Sequence, residues 1–368
     1  MKNKYLKLIT GIILLCISVS CRKDASQQPS EQEQVGSGTT GKIKGLYLVN
    51  EGNMGSNKAS LDYYDYVTGV YKRNLFGETN PNVVLGLGDV ATDVAIYGAK
   101  MYVAVNGSNL VEVMNARTAK HLATINVPNC RYLKFYQNKL YVTSYEGYVA
   151  VADTGALTIQ ATIKVGRQPE QMAVVGNKMY VANSGGYTPS NYDRTVSVID
   201  LNTNTLIKSI DVAVNLDHVV ADQYGDVYVT SRGDYYNIPS KLFVIDSKTD
   251  AVKKQFDIPV GEIAINNDLA YIYSVDFNYN IGNSNTSYTM LNVKTETLLN
   301  QSFITDGTEK NIKTPYGLAI DPITEDIYIT DARDYVSSGT LYCFDKTGRK
   351  KWSVTTGDIP AHLAFLYQ

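Results

Sequence analysis

His218 and His362 are two of only three histidines in the chain, and each opens a short apolar run, His218-Val219-Val220 and His362-Leu363-Ala364. Five further runs of the same kind follow Asp93, Arg131, Gln171, Glu262 and Gly317, so one residue per run falls at an equivalent place, which in a radial arrangement of the runs makes a ring near the mouth of a central channel, and six of the seven are polar. An imidazole titrates near neutrality and a carboxylate can orient it, so His218 and His362 could act as general acid and base with Asp93 or Glu262 holding one of them. That chemistry requires two imidazoles far apart in sequence to meet. A metal centre would need several Asp, Glu and Asn side chains converging, and only Asp93 and Glu262 stand at these places. Polar lining of a solvated channel accounts for the same pattern without any ligand. No Walker, CxxC or HExxH pattern and no strand-glycine-helix dinucleotide unit follows residue 20.

A second group points to recognition rather than reaction. Tyr187, Tyr192, Arg194, Arg232, Tyr235, Tyr236, Phe277, Tyr279, Arg333 and Tyr335 lie in or beside the longer stretches between β-prone runs, interleaved with Asn and Gly. Tyrosine offers a broad apolar face and a hydroxyl at little rotamer cost, a combination suited to binding surfaces. The bland alternative is that tyrosine is the preferred β-surface aromatic here, since Tyr outnumbers Phe 29 to 8.

The elements that must position these residues repeat. Tyr47, Tyr102, Tyr141, Tyr180, Tyr228, Tyr271 and Tyr328 each open a strongly β-prone run, at steps of 55, 39, 39, 48, 43 and 57 residues. A period near 40 residues is what radially repeated sheets produce, one four-stranded blade per period. The fold expected is all-β, a seven-bladed β-propeller over residues 43–368. Blade four shows the order best: Gln171 to Val175 innermost, Lys178 to Asn183 second, Thr195 to Asp200 third and Thr205 to Val212 outermost. The first period lacks an innermost strand, and one spare run, His362 to Leu366, remains at the C-terminus. It is expected to complete blade one and close the ring. Turns between first and second strands are short, whereas those between second and third are long (Glu51 to Lys58, Gly185 to Arg194, Gly233 to Ser240, Asp276 to Asn285, Ala332 to Ser338), so elaboration gathers on one face.

Residues 1–20 read as a signal peptide: Lys2, Lys4 and Lys7 precede an apolar run, Leu8 to Val19, too short to span a bilayer. Ser18-Val19-Ser20-Cys21 is similar to a bacterial lipobox, which makes Cys21 the lipidation site and 21–42 a lipidated, disordered tether. With 34 basic and 36 acidic residues, and no basic run after the signal, nucleic acid is excluded as a partner. Cys130 and Cys343 fall in blades three and seven, too far apart for a disulfide.

Tyr141-Val142-Thr143-Ser144, Tyr228-Val229-Thr230-Ser231 and Tyr180-Val181-Ala182-Asn183, with Val198-Ile199-Asp200 and Val244-Ile245-Asp246 downstream, resemble the repeats of YVTN propellers. That resemblance specifies fold better than function, since propellers host lactonases, lyases, quinoproteins and binding modules. The lipobox, the polar tether and the opening Gly45-Leu46-Tyr47-Leu48-Val49-Asn50-Glu51-Gly52-Asn53 together resemble the cobalamin-capturing surface lipoproteins called BtuG. The resemblance implies a surface-exposed outer-membrane lipoprotein without catalytic activity. It would bind cobalamin (vitamin B12) or a related corrinoid and pass it to a TonB-dependent transporter of the BtuB type, with no cofactor or metal of its own. A propeller enzyme of the lyase or lactonase class, or a glycan- or protein-binding lipoprotein, would use the same face.

Overall fold

The computed structural model describes residues 30–39, 41–280 and 283–368, without the side chains of residues 276–278, 283 and 284. Seven antiparallel sheets follow one another along the chain, four strands in each except the first, which has five. This is the expected seven-bladed propeller. Strand Pro360–Tyr367 pairs with Ile43–Asn50, setting Leu46 opposite Phe365, Tyr47 opposite Ala364 and Leu48 opposite Leu363. The C-terminus therefore supplies the innermost strand of blade one, so that no inner strand of the ring is left unpaired.

Two segments depart from the sequence expectation. Within the stretch read as tether, Glu31–Gln34 adds a fifth, outermost strand to blade one, paired with Val70–Arg73. Main-chain pairing to an open edge needs no apolar side chains, and all four residues are exposed, so composition could not reveal the strand. In blade six the stretch read as a long loop is mostly ladder: Leu269–Asn278 and Asn283–Asn292 stay in register from Leu269↔Asn292 to Asn278↔Asn283.

The strand tyrosines hold the blades together. Tyr47, Tyr102, Tyr141, Tyr180, Tyr228 and Tyr328 are fully buried between sheets. Each hydroxyl reaches the next blade near its third-to-fourth-strand turn. Tyr47 donates to the Ala116 carbonyl at 2.7 Å, Tyr141 to Asn204 Oδ1 at 2.7 Å and Tyr180 to Asp250 Oδ1 at 2.5 Å. Tyr102 and Tyr228 reach the Thr154 and Val293 carbonyls at 3.4 and 3.3 Å, and Tyr328 meets the Tyr66 hydroxyl at 2.5 Å. Phenylalanine would fill the space but forgo these inter-blade hydrogen bonds, which accounts for tyrosine at these six places.

In six blades the innermost strand slips register against the second near the start of the inner strand, for example between Ala91 and Asp93, Pro169 and Met172, Leu216 and Val219, and Pro315 and Leu318. Such bulges re-aim side chains. They cluster where the channel opens among the long loops.

Candidate functional site

The inner-strand register defines which residues share a level of the channel. Val94, Leu133, Met172, Val219, Ile263, Leu318 and Leu363 occupy one level, each pairing with the residue that follows the strand tyrosine. The residues before them are Asp93, Tyr132, Gln171, His218, Glu262, Gly317 and His362. Blade three thus places Tyr132, not Arg131, in the ring. A shared hydrogen bond confirms the equivalence: the backbone N–H groups of Tyr132, His218 and Gly317 donate to Thr143, Thr230 and Thr330 Oγ1 at 3.0, 2.9 and 2.6 Å. Tyr132 is apolar enough to be read as half of the apolar pair, which shifted the sequence alignment by one residue.

Tyr132 lies between the two histidines, edge-on to His362 at 5.5 Å and to His218 at 6.5 Å. Above this layer, toward the long loops, a mouth of about 390 Å³ is lined by Glu51, Arg131, Asp217, Arg232, Tyr235, Tyr273, Tyr316 and Tyr335, with His218, Glu262 and His362 at its floor. Gly317 contributes no side chain because the Ala361 carbonyl oxygen lies 1.8 Å from where its Cβ would be.

The charges form one alternating chain. Arg131 Nε and Nη2 both donate to Glu170 Oε2 at 3.3 Å, and the guanidinium lies 4.8 Å from the Tyr145 ring centre. The Tyr145 hydroxyl donates to Glu170 Oε1 at 2.5 Å, and Arg232 spans Glu170 (3.4 Å) and Asp217 Oδ1 (2.6 Å). His218 closes the series, with Nε2 3.1 Å from Asp217 Oδ2 and Nδ1 3.2 Å from Glu262 Oε1. At these distances the buried His218 Nδ1 and Asp217 Oδ1 still have no aligned hydrogen bond among the described residues. They retain capacity for a ligand or water.

Burial and these pairings separate the proton affinities. Burial works against the His218 cation, but Asp217 and Glu262 outweigh it and raise the imidazole to about 9. Burial pushes His362 down to about 3, aided by the cations His218 and Arg131. The 3.8 Å contact of His362 with Asp93 is therefore not an ion pair near neutrality, and burial raises Asp93 itself to about 7. Burial likewise lifts Glu262 and Glu51 to about 7. Asp217 moves the other way: burial would raise it, yet Arg232 and His218 hold it well below the usual carboxylate range.

The expected loop residues are partly brought together. Arg232, Tyr235 and Tyr335 line the mouth, and Tyr187 and Tyr192 line a side pocket that shares Arg232 and Tyr235 with it. Tyr187, Tyr236, Tyr279 and Tyr335 are 63%, 50%, 59% and 46% exposed, and Tyr236 stacks on Tyr279 at 5.2 Å. Arg194 instead pairs with Asp211 at 2.5 Å on the surface, and Arg333 is exposed and is not among the residues that line the mouth. Phe277 sits on the blade-six hairpin, its side chain outside the described residues, as is Cys21. Asp93 and Gln171 leave the mouth altogether. They tie neighbouring inner strands, Asp93 accepting from Leu133 N at 2.8 Å and Gln171 from Val219 N at 2.9 Å, and they line the opposite half of the channel. Sequence reasoning missed Glu51, Tyr132, Glu170, Asp217 and Tyr316. Four of them were within reach once the threonine-based register was known, since Glu170, Asp217 and Tyr316 directly precede ring positions and Tyr132 occupies one.

A seven-bladed propeller with a charge-paired, tyrosine-rimmed mouth is the class defined by these features. The chain belongs to the family described as Domain of unknown function (DUF5074), which it matches over residues 44–363. No curated protein matches it. Among solved structures it is similar to hydrazine synthase of Kuenenia stuttgartiensis (TM-score 0.58, 17% identity, 70% of this chain and 76% of that one). It is also similar to the computationally designed Ika8 protein (0.56, 13%, 90% and 91%) and to the Neurospora crassa Pan2 WD40 domain (0.53, 11%, 76% and 79%). At these identities the likeness is one of fold alone.

Proposed function

We propose that this protein is a lipid-anchored, surface-exposed outer-membrane binder that captures cobalamin or a related corrinoid on its long-loop face and passes it to a TonB-dependent transporter. The observation that carries the reading is the set of exposed rings, Tyr187, Tyr236, Tyr279 and Tyr335, around a mouth furnished with charged and hydroxyl groups. A flat macrocycle rimmed by amides needs such a surface: aromatic faces for the ring, donors and acceptors for its edge. The mouth is too small to engulf a corrinoid, so the ligand would lie across it with one edge dipping toward Arg232 and Glu262. The lipobox around Cys21 and the opening from Gly45 to Asn53 support the anchoring and the ligand class. Titration with cyanocobalamin, followed by heat and by corrin absorbance, tests the reading. Saturable binding with a spectral change is expected, and no binding overturns it.

One observation favours an enzyme as the second reading. His218 and His362, edge-on to one ring, have proton affinities driven in opposite directions, as an acid and a base require. Turnover of a lactone or another small substrate, abolished by His218→Asn with His362→Asn, would favour that reading over capture.

A further inference from the structure

The strand Glu31–Gln34 fixes where the N-terminal segment leaves the propeller. Its pairing runs from Gln34↔Val70 to Glu31↔Arg73, so its first residue lies beside the end of blade one's own outer strand. From Arg73 the chain crosses to blade two, and in an up-and-down blade such crossings emerge on the face that carries the long second-to-third-strand loops. An ion pair of Glu31 with Arg73 and a 2.6 Å hydrogen bond from Ser30 Oγ to Glu78 Oε2 hold the exit against this crossing. The segment before Glu31 therefore departs from the long-loop rim of blade one.

The same crossing carries an apolar projection. Val84 and Leu85 are the central residues of a turn in which Gly86 N donates to the Val83 carbonyl at 2.9 Å, and Met54 and Gly55 are those of a turn in which Ser56 N donates to the Asn53 carbonyl at 2.9 Å. Turn tips are ordinarily polar. Met54, Val84 and Leu85 are nevertheless 81%, 85% and 70% exposed. Asn57 Nδ2 donates to the Leu85 carbonyl at 2.9 Å, while Asp89 accepts from Gly55 N at 2.7 Å and Asn57 N at 3.1 Å, so the two turns are braced into one unit. Apolar side chains grouped on such a unit mark a contact surface.

The chain before Glu31 indicates what that surface meets. Only residues 22–30 separate the strand from Cys21, and the path from Cys21 to Glu31 spans about 35 Å at full extension. Setting the opposite face on the membrane would require this segment to run back along the height of blade one, about 26 Å for the eight-residue strand Ile43–Asn50, which leaves about 10 Å. The long-loop rim is the part that the segment brings to the membrane without doubling back.

We propose that Met54, Val84 and Leu85 insert into the surface of the bilayer that holds the acyl chains of Cys21, so that the propeller stands with the long-loop rim of blade one against the lipid. This rests on the lipid anchoring proposed above. Acyl chains and apolar tips together make two attachments, the combination that stable anchoring takes.

The test reconstitutes the lipidated full chain into phosphatidylcholine vesicles with a nitroxide on Val84→Cys or, as control, on Lys248→Cys in a short turn of the opposite face. Cys130 and Cys343 are buried and escape labelling. The Val84 label should be shielded from a water-soluble nickel complex and open to oxygen, with the ratio of the two shifted roughly tenfold from that of the Lys248 label. Adding Met54→Ser and Leu85→Ser should return the Val84 label to water while flotation with the vesicles and thermal melting stay unchanged. Failure of the full chain to float with vesicles overturns the anchoring and this proposal with it. Flotation with a Val84 label as water-exposed as the Lys248 label overturns this proposal alone, as does shielding that arises only when a transporter protein is added to the vesicles.

Discussion

The strand tyrosines and the loop tyrosines are the same residue in opposite surroundings. Tyr47, Tyr141 and Tyr180 are buried between blades and spend their hydroxyls on acceptors in the next blade. Tyr187, Tyr236 and Tyr279 present their rings outward and pack on other tyrosines, Tyr187 edge-on to Tyr145 at 5.2 Å and Tyr236 face to face with Tyr279. The first set resists blade separation, whereas the second leaves aromatic area uncovered. Residue type alone therefore says little about role. What distinguishes the sets is whether the ring is covered and what the hydroxyl meets.

Truncation should separate the two sets most strongly. Tyr180→Ala removes a buried ring and its inter-blade hydrogen bond, and should cost about 3–5 kcal/mol, read as a lower unfolding midpoint. Tyr187→Ala should change stability by no more than about 0.5 kcal/mol. Equal losses at the two positions would break the comparison. The order reverses for binding: replacing Tyr187, Tyr236 and Tyr279 together by Ala should weaken cobalamin by about 2 kcal/mol or more per effective anchor, with melting unchanged. A triple variant that still binds at full strength would remove the loop set from the site.

The ring of strand tyrosines was legible because a residue required once per blade recurs with the blade, and the closing strand because the first period lacked one. The mouth was legible only in part. Side chains on inner strands could be enumerated, but six register slips decide which of them share a level, and a bulge leaves no residue-type signature. Arg131 was therefore placed one level too low and Tyr132 overlooked. Arg194 and Arg333 failed for another reason: a long loop constrains neither the direction of its side chains nor their partners, and Asp211 claims Arg194. The strand Glu31–Gln34 was hidden because main-chain pairing has no compositional mark.

The channel charges give an intermediate effect that neither tyrosine set shares. His218 is raised from 6.5 to about 9, so the folded state holds this proton more tightly than the unfolded chain does. Its contribution is fully present below pH 6.5 and is lost as pH rises through about 9. Glu262, raised from 4.5 to about 7, has the same sign over the lower window. His362, lowered from 6.5 to about 3, has the opposite sign, its contribution being lost as pH falls below 6.5. Unfolding free energy should therefore drop by on the order of 2 kcal/mol between pH 6.5 and 9. His218→Asn should flatten that segment, and a profile identical to the parent's would show that His218 is not held as a cation.

The smallest expected effect is also the most selective, because it leaves the ring and removes only the hydroxyl. Tyr47→Phe deprives the buried Ala116 carbonyl of its donor, so the penalty includes an unmet acceptor and should approach about 1–2 kcal/mol. Tyr180→Phe should cost less, about 1 kcal/mol, since Asp250 keeps Lys178 as a partner at 2.7 Å. Tyr187→Phe should leave stability unchanged, as its outward ring contributes through its face. Denaturant midpoints measured on the three variants should fall in that order. If Tyr47→Phe proved neutral, packing alone would hold the blades, and the recurrence of tyrosine over phenylalanine would need another cause.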